Sequence, residues 1–127
     1  MKVFLSVLCV FVISCLTTGC YYDNEEYLYG ACDTSNVTYN GTIKPLLLNN
    51  CTGCHNAASA GGGYNLTNYA DDASGNKGVR SSALNGSLSG SVNHDGSFSQ
   101  MPKGGSKLQQ CKLDQIRIWI DADAPNN

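Results

Sequence analysis

The middle of the chain has little apolar material to fold around. Between Asn56 and Gln110 the larger apolar side chains are Tyr64, Leu66, Tyr69, Val79, Leu84, Leu88, Val92, Phe98, Met101 and Leu108, scattered through glycine, serine and asparagine. A length of 127 residues suits one small domain. A small domain with so thin a core is usually stapled by a metal, a disulfide or a bound cofactor. The polypeptide by itself lacks something large and apolar.

The start of the chain belongs to export rather than to the fold. Lys2 precedes an apolar run from Val3 to Leu16, and Thr17, Thr18 and Gly19 are small residues suited to a cleavage site. That is the layout of a secretory signal peptide. The run falls short of the roughly 20 apolar residues a spanning helix needs. Thr17-Thr18-Gly19-Cys20 also resembles the lipobox of bacterial lipoproteins, which implies cleavage before Cys20 and a lipid on that cysteine. Cys15 is a second candidate, and a retained anchor and a plain secreted form are the alternatives. The expected organisation is a removed signal over 1–19, a tether over 20–36 and a folded domain over 37–125. The expected location is exported and membrane-anchored, facing the periplasm or the cell surface.

Cleavage before Cys20 leaves 108 residues (127 − 19), with 7 basic and 10 acidic side chains, a net charge of −3. Such mild acidity disfavours nucleic acid as a partner. It suits protein partners that carry a basic docking patch. Of seven cysteines, Cys9 and Cys15 leave with the signal, Cys20 is the expected lipid site, and Cys51 and Cys54 form a close pair. Cys32 and Cys111 remain, and in an oxidising compartment they are expected to form a disulfide; two free buried thiols are the alternative.

Two helices are expected to frame the domain. Over Tyr39–Asn50, Ile43, Leu46 and Leu47 share one face, Asn40 suits an N-cap, and Pro45 is tolerated best in a first turn. Over Gln109–Ala122, Leu113, Ile116 and Ile120 repeat with helical spacing, Asp114 and Arg117 can pair, and Pro125 stops the segment. Ile116, Ile118 and Ile120 also alternate like a strand, but the length favours helix. Short helices are expected near Thr67–Asp72 and Val79–Leu84.

The staple is in Cys51-Thr52-Gly53-Cys54-His55. This C-x-x-C-H pattern is the attachment signature of c-type haem. Two thiols three residues apart reach the two vinyl groups of one haem edge, and the following histidine binds the iron from below. A thioredoxin-like redox pair, a zinc site using Cys51, Cys54, His55 and His94, and a plain Cys51–Cys54 disulfide are the rival readings. For the second axial position the candidates are Met101, stiffened by Pro102, and His94; an open position is the third possibility.

Thr42-Ile43-Lys44-Pro45-Leu46, Asn50 through His55, Met101-Pro102, and Ile116 through Asp121 with Ala124-Pro125 together resemble the small cytochrome c domains of bacterial exported proteins. The resemblance runs from about Val37 to Pro125. It implies a mainly α cytochrome c fold, with N- and C-terminal helices crossing beside the haem, long irregular loops, and Trp119 near the crossing. It implies His55 and Met101 as axial ligands. Many such domains orient the proximal histidine with a proline carbonyl, but no proline lies between Pro45 and Pro102. A backbone carbonyl within Gly61–Asn65 is the expected substitute.

The function expected from these residues is electron transfer by one covalent haem c, without enzymatic turnover, between redox proteins at a membrane. The alternatives are a haem enzyme or gas sensor with an open sixth position, and a haem-free zinc or disulfide module.

Overall fold

The first helical segment begins at Thr38, whose backbone is extended and whose hydroxyl accepts the Gly41 N–H at 3.1 Å. Thr38 therefore takes the capping role expected of Asn40. The computed structural model describes residues 32–127, so the expected signal sequence, Cys20 and most of the expected tether lie outside the described residues. The helix expected over 39–50 is present in two pieces. Tyr39–Ile43 is one wide π-type turn, with the Ile43 N–H reaching back five residues to the Thr38 carbonyl at 3.1 Å; α1 (Lys44–Asn50) follows it. Pro45 accounts for the change of pitch. It has no N–H to donate, and in an unbroken α-helix its ring would crowd the carbonyl four residues back. Widening the turn before it relieves that clash.

After α1 the chain runs irregularly to α2 (Val79–Leu84), then α3 (Ser87–Asn93) and α4 (Gln110–Asp121). Among the described residues 42% are helical and none forms a strand, so the unit is mainly α. A lone bridge joins Tyr64 and Lys77. No helix among the described residues is long and apolar enough to cross a membrane. α2 matches its sequence expectation, whereas Thr67–Asp72 is not helical. There the Asp72 carboxylate accepts from the Asn65 and Asn76 side-chain amides, both at 3.0 Å, and from the Ser74 and Asn76 N–H groups, also at 3.0 Å. These bonds hold the Asp72 carboxyl below the usual carboxylate range. Asn65 itself is buried, and its carbonyl oxygen accepts the Thr67 hydroxyl at 2.6 Å. Side-chain bonds of this kind compete with helix formation.

The core lies where the wide turn meets α4. Trp119 is fully buried, its ring is stacked on Tyr39 at 5.8 Å, and its Nε1–H donates to the Pro125 carbonyl at 2.9 Å. Tyr69 meets Tyr39 edge-on at 4.9 Å and donates its hydroxyl to the Ala124 carbonyl at 2.7 Å. Ile43, Leu47, Leu113 and Ile116 extend this core, and the middle segment adds Leu66, Val79, Leu88 and Val92. The expected contact between the N-terminal helical segment and the C-terminal helix is thus present, with Trp119 in it. On α4 the ion pair differs from expectation. Arg117 bonds Asp121 at 3.1 Å, while Asp114 accepts from the Gln110 amide at 3.1 Å. Cys32 and Cys111 are disulfide-bonded, as expected. In the chain-entropy account, a bridge closing so long a loop disfavours the unfolded chain by up to about 4 kcal/mol.

Candidate functional site

The end of α1 delivers the Cys51-Thr52-Gly53-Cys54-His55 segment as a continuation of the helix rather than as a free loop. The Cys51 N–H closes on the Leu47 carbonyl at 2.8 Å, and the Thr52 hydroxyl donates to the Leu48 carbonyl at 2.9 Å. The Cys54 and His55 N–H groups both turn back to the Cys51 carbonyl, at 3.2 and 3.1 Å. The Cys54 carbonyl accepts the Ser59 hydroxyl at 2.7 Å and the Gly61 N–H at 3.1 Å. The His55 carbonyl accepts the Leu66 N–H at 2.9 Å. Backbone bonds at both ends of the motif therefore set its geometry.

The two thiols differ in setting. Both are free; Cys51 is half-buried and packs against the core, while Cys54 is exposed. Burial pushes the Cys51 thiol up to about 11. A redox or nucleophilic cysteine needs the opposite shift, toward thiolate at neutral pH. Cys51 is thus not poised as the nucleophile of a thioredoxin-type centre, and the two thiols are not joined as a disulfide. No three His, Cys, Asp or Glu side chains among the described residues converge as a metal-binding group, which leaves the zinc reading without its four ligands.

His55 is half-buried, and its Nδ1 is fully buried with no hydrogen-bond partner. Gly61 presses against this edge of the ring. A side-chain carbon added at Gly61 would sit 3.5 Å from both Nδ1 and Cε1 and 3.1 Å from the Cys54 carbonyl oxygen. Glycine permits that approach, and Tyr64 adds an edge-on ring at 6.4 Å. The backbone acceptor expected among residues 61–65 does not reach Nδ1, and two of those carbonyls bond elsewhere. The Gly61 carbonyl takes the Tyr64 N–H at 3.3 Å and the Gly63 carbonyl takes the Lys77 N–H at 2.8 Å.

Met101 and His94 lie together, apart from the motif in their bonding. His94 caps α3 in a left-handed backbone conformation, with φ 56°. Its Nε2 lies 3.0 Å from the Met101 carbonyl oxygen. The Met101 N–H donates to the Ser91 carbonyl of α3 at 3.1 Å. Among the described residues no hydrogen bond, ion pair or ring contact joins this pair to His55. A surface recess lined by Tyr39, Lys44, Tyr69 and Asp71 includes none of these site residues.

Sequence reasoning missed the α3 anchor of Met101 and the packing role of Gly61. The Gly61-Gly62-Gly63 run was a signal for a close backbone approach, whereas the Ser91 carbonyl left no trace in the sequence. No family model, curated protein or solved structure matches the chain.

Proposed function

We propose that the chain is a single-haem electron carrier of the cytochrome c type, with Cys51 and Cys54 as the covalent attachment points and His55 and Met101 as axial iron ligands. The observation that carries this reading is the state of the motif. It holds two free thiols three residues apart, the first held as a thiol by burial, followed by a histidine whose Nδ1 is buried and backed by glycine. With Nδ1 enclosed, Nε2 is the nitrogen left to a ligand.

Bound there, haem supplies one-electron exchange between ferrous and ferric iron. The chain's own contribution is placement. α1 holds Cys51 against the core, the Cys51 carbonyl fixes the His55 backbone, and Gly61 and Tyr64 limit the tilt of its ring. Met101 would supply a thioether as the second protein ligand, which would raise the potential. Upstream, the lipobox-like Cys20 tethers the carrier to a membrane, and mild acidity favours redox partners with a basic patch.

Absorption spectroscopy and intact mass of the exported, host-matured protein test the reading. Each thiol adds across a vinyl group with no atom lost, so the mass rises by that of one whole haem. The ferric protein is expected to show the weak far-red band that marks iron–sulfur ligation, and Met101→Ala to abolish it. Colourless protein with the mass of bare polypeptide plus lipid refutes the assignment. Rapid carbon monoxide binding by the native ferrous protein transfers it to the open-site class.

A further inference from the structure

We propose that His94 is a positioning residue for Met101, acting as a clamp rather than as an iron ligand. The inference rests on the electron-carrier reading above, because it concerns how that site's sixth ligand is held.

The geometry begins with the two sides of one residue. Met101 is gripped through both backbone polar groups by the same helix end. Its N–H goes to the Ser91 carbonyl at 3.1 Å, and its carbonyl goes to the His94 Nε2 at 3.0 Å. A carbonyl oxygen only accepts, so Nε2 must carry the proton in this bond. That nitrogen's lone pair is therefore unavailable to iron while the clamp is closed. The surrounding chain supplies little else. Residues 95–100 and 103–107 are all exposed, whereas Met101 and Pro102 are half-buried.

The helix is shaped to receive this loop. A side chain at Gly90 would collide with the Phe98 ring and approach both Asp95 carboxylate oxygens at 3.2 Å. Glycine there lets the 95–98 turn lie on α3, with the Ser97 N–H bonded to Asp95 at 2.8 Å. The left-handed conformation of His94 ends the helix and swings its imidazole toward Met101. Histidine is among the few non-glycine residues enriched in that conformation. The chain thus commits a left-handed capping position to a side chain able to donate across a six-residue loop.

The test compares His94→Ala with His94→Gln in the full, host-matured protein. Both variants carry a similar left-handed backbone cost, so the difference between them isolates the hydrogen bond, which the glutamine amide can still donate. Three readouts are needed: covalent haem content, the far-red ferric band against temperature, and far-ultraviolet circular dichroism against temperature. His94→Ala is expected to bind a full complement of haem and to lose the band roughly 5 °C or more below the wild type, as loss of one hydrogen bond implies. Band loss should precede loss of helix. His94→Gln should recover at least half of the shift. Equal behaviour of the two variants, or an unchanged band in His94→Ala, overturns the clamp and leaves the carrier reading standing. Absence of covalent haem from the wild type overturns both. Haem without the far-red band overturns Met101 ligation and the clamp together.

Discussion

The turn-and-α4 contact and the Met101 loop are held by different physics. Around Trp119 the chain is locked by buried rings and aliphatic groups, with Tyr39, Ile43, Leu47 and Ile116 all nearly inaccessible to water. Around Met101 the fixed points are a backbone bond to the Ser91 carbonyl, a bond from the His94 imidazole to the Met101 carbonyl, and the contact of Phe98 with Gly90. Packing is cooperative and non-directional, so damage to it is felt throughout a small domain. A few hydrogen bonds on an exposed loop open locally at much lower cost. The domain therefore separates a packed scaffold from the Met101 loop, and substitutions in the two regions should be distinguishable by what they leave intact.

The largest effect expected is from Trp119→Ala. Truncating a buried tryptophan typically costs about 3–5 kcal/mol, since the cavity collapses only in part. Here the change also removes the stacking partner of Tyr39 and the donor to the Pro125 carbonyl. Urea unfolding should show that loss, with the far-red band and circular dichroism failing at one common midpoint. A cost below about 1 kcal/mol would mean the contact is not the structural centre of the fold.

A smaller effect separates the free thiol from the attached one. The Cys51 thiol is pushed up to about 11 in the fold from an ordinary value of 9.0, because burial penalises the thiolate. The folded value is the higher one. The stabilisation is therefore fully present below pH 9 and is lost as pH rises toward 11, where the unfolded chain ionises first. For the haem-free protein the loss is on the order of 2 kcal/mol. A thioether cannot ionise, so haem-bearing protein should lack this step. Tyr39 is raised by burial as well, but equally in both forms. Alkaline denaturation of haem-free wild type, haem-free Cys51→Ala and haem-bearing wild type decides the matter. Identical profiles for all three would remove Cys51 from its buried setting.

The readable parts of this molecule were those set by periodic apolar spacing. Leu113, Ile116 and Ile120 placed α4, and Ile43, Leu46 and Leu47 placed the first helical segment, because each face had to meet a core. α3 escaped notice. Its only large apolar residues, Leu88 and Val92, are surrounded by serine and glycine, and its stability comes from packing rather than propensity. The stretch 67–72 misled in the other direction, because Asn65 and Asp72 capture backbone and amide donors that a helix would need. At the site, the motif was legible because chemistry fixes the spacing of its cysteines and histidine. Of the grip on Met101, His94 stood out as a residue but not in this role, and the Ser91 carbonyl was not legible, because a backbone carbonyl carries no residue-type signature.

The smallest effect expected is at the surface, where the comparison is sharpened by a null result. Arg80 of α2 bonds the Asp123 carboxylate at 2.7 Å, with the two side chains 39% and 80% exposed. The same guanidinium lies 3.4 Å from the Asp123 carbonyl. Asp123 and Ala124 form the left-handed turn that brings the Pro125 carbonyl to Trp119, so the pair sits at the rim of the scaffold. Exposed pairs are screened by water and salt, and Arg80→Ala should cost about 0.2–1 kcal/mol. That cost should vanish at high salt, and the far-red band should not move. A loss above about 2 kcal/mol that persists in molar salt would mean the turn at Asp123 depends on Arg80 for its shape. The scaffold would then rest on a charged rim contact as well as on its buried rings.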